Sequence, residues 1–492
     1  MRHEWAVAAV AALCLLSGCQ TLPAPGPDHD AGATPTVDET VELDVETPAT
    51  TEATPAGAGD APPDPATDRL GWEAGYWHNE TLSVTTEDGL NESERRAVVS
   101  RAMARVEVVR RLEFAERVPV ETVSRERFRE NRGGTVSAAT RRFDDAKFEA
   151  LFLIGEDRDA VAVQESTLGE SVLGYYSPRR DAIVLVTDTE TPSVDESTLA
   201  HELVHALQDQ RFGLRSDART RDAVQGRNGL VEGDAVATTA DYTERCGASW
   251  SCLSGGAGAS AGGGDRHFGL SFLLYFPYSD GAGLVADLRD RGGWAAVNDA
   301  YGEVPDGARE VTNPGDYPEW EPREVELSDR SSDEWERVRP PGRPDYGVVG
   351  PSAIAATMAY TIADDYNGSA VVQRRAVFDY AAGGGLAETD PYDYTLPGTA
   401  GWDGGRLHVY TNGTATASVW RTGWDSPAAA AAFAAAWGDV LGHWGGRRVG
   451  EHTWTLAGDS PYAGAVAVRV EGDTVTVVNA PSQGGLSEIH NA

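Results

Sequence analysis

Residues 197–212 read STLAHELVHALQDQRF. Leu199, Leu203, Ala206 and Leu207 fall on one face at helical spacing, so the stretch is predicted to be an amphipathic helix. Asp195 and Glu196 just upstream provide the acidic first turn that suits a helix N-terminus. On such a helix His201 and His205 stand at i and i+4, where both imidazoles can meet one ion. Glu202 lies one position round, within reach of a water on that ion without being a ligand.

Downstream, residues 229–235 read GLVEGDA at the expected start of the next helix, 228–242. Glu232 there is either a first-turn carboxylate interacting with the helix dipole or a third metal ligand. Coupled to the histidine pair, the ligand reading is favoured. Two His and one Glu leave a fourth position for water, as catalytic Zn2+ requires.

Working outward, Asn91 with Glu94 forms a capping-box pattern ahead of Val98, Val99, Met103 and Val106. A helix is expected over 145–153. Residues 172–176 and 181–186, around Ser177-Pro178, read as a hairpin. Two helices are expected near 281–289 and 294–300, a surface-wrapping segment over 313–343, and a helix from Pro351 to Tyr360. From Gly401 onward, strands at 406–410, 417–421, 465–470 and 474–478 flank an alanine-rich helix. The fold class is therefore α+β. The domain organisation expected is 1–19 leader, 20–68 tether, 69–345 catalytic domain, 346–400 helical connector and 401–492 small C-terminal α+β unit.

The leader, MRHEWAVAAVAALCLLSGCQ, has an apolar run too short to span a bilayer and ends in a lipobox-like LSGC. Cys19 is thus the expected lipid-bearing residue, with the protein exported to the outer face of the membrane. Residues 20–68 contain no Lys or Arg and are rich in Thr, Pro, Asp and Glu. Such a stretch cannot bury enough apolar surface to fold, and as a coil it spans roughly 40 Å. Sequons at Asn79, Asn91, Asn367 and Asn412 are glycosylation candidates. Cys246 and Cys252 are the pair expected to form a disulfide outside the cell.

Composition narrows the partners. With 77 Asp+Glu against 41 Lys+Arg, the net charge is −36. That surface repels phosphates and excludes nucleic acid as an expected partner. Lys147 is the only lysine. An acidic, lysine-poor chain suits strong brine, where salt screens its self-repulsion.

HELVHALQDQ followed by LVEGDA resembles the gluzincin branch of the zincin metallopeptidases. The whole chain is similar to exported surface lipoproteins of halophilic archaea. The stretches that carry the likeness are LGWEAGYWHNETLSV, GYYSPRRDAIVLV, RGGWAAVNDAYG, WDGGRLHVY and VWRTGWDSP. The resemblance implies a zincin-like domain with His201, His205 and Glu232 holding zinc and Glu202 as general base for peptide hydrolysis. It also implies a strand within 174–186 that pairs with an extended peptide or protein substrate. The better-known gluzincins carry an aspartate four residues after the ligand glutamate. Val236 stands there, so the histidines must be oriented from elsewhere, with Asp209 and Asp234 as candidates. Tyr275, Tyr278 and His267 are candidates for the oxyanion partner, against ordinary aromatic packing. The alternative is a non-catalytic envelope lipoprotein that keeps the scaffold for binding.

Overall fold

The computed structural model describes residues 64–490 except 85–87, 133–135, 170–171, 173, 190, 193, 254–266, 365 and 368. The expected leader, Cys19, most of the tether and the glycine-rich stretch 254–264 lie outside the described residues. Among the described residues no helix is long and apolar enough to cross a membrane.

The chain is mixed α+β. A two-stranded hairpin, β1 (Trp72–Glu73) and β2 (Tyr76–Trp77), leads into helix α1 (Glu92–Arg110). The capping box is present: the Asn91 side chain accepts from Ser93 and Glu94 N–H, and Glu94 answers to the Asn91 N–H. Next come β3 (Val120–Val123), α2 (Arg125–Arg132), α3 (Ala138–Ala150) and α4 (Ala160–Gly169). Strands β4 (Gly174–Ser177) and β5 (Ala182–Val186) form the expected hairpin. Strand β3 joins it in parallel, giving the order β3-β5-β4 with β4 at an edge.

Helix α5 (Glu196–Phe212) carries the HELVH stretch. Its N-cap, Asp195, accepts from Ser197 and Thr198 N–H, and its apolar face enters a core shared with α1 and the three-stranded sheet. Helix α6 (Arg221–Arg245), capped by Thr220, starts about two turns earlier than expected. Helix α7 (Phe268–Ala300) runs through Pro277 and breaks at Gly292–Gly293, which separates the two shorter helices the sequence suggests.

Helices α6 and α7 cross at glycines. A Cβ on Gly233 would lie 2.0 Å from the Gly281 carbonyl oxygen, and one on Gly281 would lie 2.3 Å from the Gly229 oxygen. Only residues without a side chain permit this approach.

Beyond α8 (Ala308–Thr312) the chain wraps the surface to β6 (Glu336–Arg337), and Pro351 opens α9 (Pro351–Tyr360). Residues 361–400 are largely irregular, apart from a 3-10 turn at Arg374–Val377, so the expected helical connector is only a short helix and a long coil. The remainder comprises β7 (Trp402–Thr411), β8 (Thr416–Trp424), α10 (Pro427–His443), β9 (Arg447–Arg448), β10 (Thr453–Leu456), β11 (Gly464–Glu471), β12 (Thr474–Ala480) and α11 (Gln483–Ile489). They build an antiparallel sheet ordered β6-β7-β8-β12-β11-β10-β9. Strand β6 precedes the boundary expected at 345/346, yet it is the sheet's edge. One apolar core runs from Phe143 and Leu273 through Ile354 to Trp420 and Val477, so α3, α7, α9 and this sheet pack as a unit.

Several charged clusters are buried among the described residues. Glu196, 1 % exposed, accepts from Arg101 (3.0 Å), Arg105 (2.6 Å), the Tyr242 hydroxyl (2.6 Å) and the Leu253 N–H (2.8 Å). It ties the start of α5 to α1, α6 and the loop closed by the Cys246–Cys252 disulfide. Glu107 on α1 accepts from the Gly71 and Phe114 N–H groups and pairs with buried Glu73, which fastens the N-terminal hairpin. Burial, reinforced by Asp68, lifts Glu73 to about 7, and burial lifts Glu107 to about 8. Lys147 is buried against Asp144 (2.6 Å) and the Phe148 ring. Burial, helped by Arg221 and Arg343 and opposed by Asp144, lowers it to about 8.

Candidate metal centre

Helices α5 and α6 bring His201, His205 and Glu232 to one point. The two Nε2 atoms are 3.2 Å apart, and Glu232 Oε2 lies 3.4 Å from His201 Nε2 and 3.2 Å from His205 Nε2. A tetrahedral ion with ligands at about 2.0–2.1 Å has ligand–ligand edges of about 3.3–3.4 Å. The three separations match those edges. Among the described residues this is the one cluster of three or more His, Cys, Asp or Glu with metal-holding geometry.

Glu232 is in the fourth turn of α6, not at its start, so the helix-dipole reading of this residue does not apply. Its Oε2 has no hydrogen bond of adequate geometry despite complete burial. An orphaned carboxylate oxygen facing two ring nitrogens suits a cation. All four residues of the centre are inside: His201, Glu202 and Glu232 are 1 % exposed and His205 is 0 % exposed.

The electrostatics agree. Burial opposes a charged His205, but the Glu232 carboxylate, with help from Glu202 and Gln208, outweighs it and raises the imidazole to about 9. Burial likewise opposes ionised Glu232, but His205 and the contacts with both imidazoles lower it to about 2. Without a cation the cluster is a buried imidazolium–carboxylate pair. Losing one proton would leave three groups able to hold a cation.

Glu202 points to the adjoining edge strand. Its Oε2 accepts the Tyr176 backbone N–H (2.7 Å), while its Oε1 is buried and has no hydrogen-bond partner among the described residues. The Tyr176 hydroxyl donates to Asp209 Oδ2 (2.8 Å), so β4 is fastened to α5 twice.

The expected orienting carboxylates need correction. Asp209 accepts from Tyr176 and from the Leu214 N–H (2.7 Å), and fixes the strand and the helix C-terminus, not an imidazole. Asp234 does not touch a histidine either. It accepts from Arg110 (2.8 and 3.2 Å), the Tyr301 hydroxyl (2.7 Å), Thr238 (3.3 Å) and the Gln208 amide (3.1 Å). The contact with His205 Nδ1 is made by Gln208 Oε1, at 2.9 Å. Gln208 sits three residues after His205, on the same helix face, and that spacing is the signal by which it could have been found.

The oxyanion candidates separate. Tyr278 stacks against His201, with centroids 6.1 Å apart and planes at 19°. Tyr275, one turn earlier, packs on Tyr278 and Tyr392. His267 caps the N-terminus of α7 by accepting the Leu270 N–H and packs on Tyr360. It lies about 16 Å back along the helix from Tyr278, and is not part of the centre.

Of the sequons, Asn79 is exposed at the N-terminal hairpin. Asn91 caps α1, Asn367 donates its amide to the His443 carbonyl (3.2 Å), and Asn412 folds the β7–β8 turn through its carbonyl oxygen.

Residues 336–490 match a family model described as a domain of unknown function (DUF8575). The match begins at β6 and spans the seven-stranded sheet, and it leaves His201, Glu202, His205 and Glu232 outside. No curated protein and no solved structure matches the chain.

Proposed function

We infer that the protein is a zinc-dependent, gluzincin-like metallopeptidase with a zincin-type catalytic domain, tethered by lipid to the outer face of a cell membrane. The observation that carries this is the convergence of three buried ligand atoms with tetrahedral spacing, from two helices, with a carboxylate one residue along. His201, His205 and Glu232 would hold Zn2+. Bound there, zinc would act as a Lewis acid towards a peptide carbonyl and lower the pKa of a water.

The chain's own part follows from Glu202. Tyr176 occupies its Oε2, so Oε1 is the atom that takes the proton as water oxygen bonds to the carbonyl carbon. As the C–N bond breaks, Oε1 returns that proton to the leaving amine. Strand β4, at the sheet edge beside Glu202, offers backbone groups to an extended peptide. Tyr278, next to His201, is the nearer of the tyrosine candidates for the developing oxyanion.

A second reading, a non-catalytic surface protein that keeps this scaffold, is favoured by one observation. All four side chains are within 1 % of complete burial, which leaves a substrate little to reach. Metal analysis joined to peptide cleavage in molar salt separates the two. The enzyme reading expects about one zinc per chain, retained in Glu202→Gln and lost in Glu232→Ala. Cleavage should fall about 100-fold or more in Glu202→Gln. Zinc binding without cleavage by the wild type supports the scaffold reading, and absence of metal at saturating zinc removes the enzyme reading.

A further inference from the structure

Gln208 makes three contacts that no other side chain at the centre combines. Its Oε1 faces His205 Nδ1 at 2.9 Å, and its Nε2 donates to the Val231 carbonyl at 2.9 Å and to Asp234 Oδ2 at 3.1 Å. His205 belongs to α5, whereas Val231 and Asp234 flank Glu232 on α6. One amide therefore spans the two helices that carry the ligands. Its orientation is determined, because a flipped amide would set nitrogen against the imidazole N–H and oxygen against a carbonyl and a carboxylate. Gln208 is 1 % exposed, so water does not substitute for these contacts. His201 Nδ1, by contrast, has no hydrogen-bond partner among the described residues.

We propose that Gln208 is the positioning residue of the metal centre, holding His205 and the Glu232 segment at ligand distance from each other across the α5–α6 interface. Asp234, fixed by Arg110 and Tyr301, is its anchor. A carboxylate touching the histidine directly, the arrangement absent at Val236, would orient one ring. The amide orients a ring and sets the spacing to the third ligand. It does so because it is a donor and an acceptor at once. This rests on the metal-centre reading above.

The test is zinc affinity and release rate, measured on the full chain in molar salt by competition with a chromophoric chelator. Wild type is compared with Gln208→Met and Gln208→Glu, alongside the thermal midpoints of the metal-free proteins. Methionine removes all three contacts at similar volume. Glutamate keeps an acceptor for His205 but faces the Val231 carbonyl and Asp234 with a carboxylate. Both variants are expected to bind zinc about 10–100-fold more weakly and to release it faster. Wild-type-like affinity in Gln208→Glu would show that only the imidazole's acceptor matters, and would overturn the bridge. Affinity of Gln208→Met within about threefold of wild type would overturn it too. If either variant does not fold, Gln208→Asn serves, since it keeps the amide but is one methylene short of the span. The same loss is expected, and wild-type affinity refutes. A wild type that binds no zinc removes the metal-centre reading and this proposal together, whereas unchanged variants of a zinc-binding wild type remove only the bridge.

Discussion

Replacing Gly233 with alanine tests whether the α6–α7 crossing sets the geometry of the centre. Inside a helix this exchange normally stabilises by about 1 kcal/mol, because glycine is the poorer helix former. Here the added methyl would meet the Gly281 carbonyl oxygen at 2.0 Å, its carbon at 2.3 Å and the Gly281 Cα at 2.9 Å. All three are backbone atoms of a packed helix, so no side chain can turn aside. Relief to even 3.0 Å requires the helices to part by about 1 Å, and overpacking of this kind costs typically up to about 3 kcal/mol. The clash outweighs the propensity, for a net destabilisation of about 2 kcal/mol.

The same displacement moves Glu232, the preceding residue, relative to Tyr278 on α7 and His201 on α5. Zinc affinity should therefore fall with stability. Urea unfolding in molar salt reads the first effect and chelator competition the second. Gly438→Ala is the control: it sits mid-helix in α10, and its nearest neighbour would be a Trp454 ring carbon at 3.9 Å. That exchange should stabilise by about 0.5–1 kcal/mol. If Gly233→Ala shares the control's sign, close packing at the crossing does not govern the site.

Two further outcomes concern parts away from the centre. Glu73 and Glu107 have folded pKa values of about 7 and about 8, above the unfolded carboxylate. Their contribution is complete below about pH 4.5 and is lost as pH rises through 7 and 8, so stability should decline over that window. Glu73→Gln, which mimics the protonated partner, should flatten the decline in unfolding scans run from pH 5 to 9, and an unchanged slope would show that the pair does not cause it. Reducing Cys246–Cys252, a loop with a sequence separation of 6, should cost about 2 kcal/mol. A denaturation midpoint indifferent to reductant, with both thiols titratable, would refute that.

Local signals made much of this molecule readable. The Asn91 box, the Asp195 start of α5, the β4–β5 hairpin and the Pro351 start of α9 each rest on neighbours in sequence, and each formed as expected. The histidine pair was readable for the same reason, since i, i+4 spacing on a helix is local geometry, whereas Glu232 reaches it from a second helix. What escaped depends on partners distant in sequence. Residues 221–227 and 268–280 look broken by Gly226 and Pro277, yet they are helical because α6 and α7 pack on one another. Strand β3 is short and half polar, and becomes a strand only by parallel pairing with β5. Gln208 is a less common histidine partner than a carboxylate. Its importance depends on Val231 and Asp234, which only the fold brings near.

The burial of Lys147 has a practical side. Every other cationic side chain on the protein apart from histidine is a guanidinium, so the folded surface presents essentially no side-chain amine. Amine-directed cross-linkers, acylating reagents and enzymes that conjugate or cut at lysine therefore find almost no handle while the fold is intact. Unfolding exposes one. Acylation at this single position then becomes a built-in reporter of opening, readable by mass as one modified residue per chain.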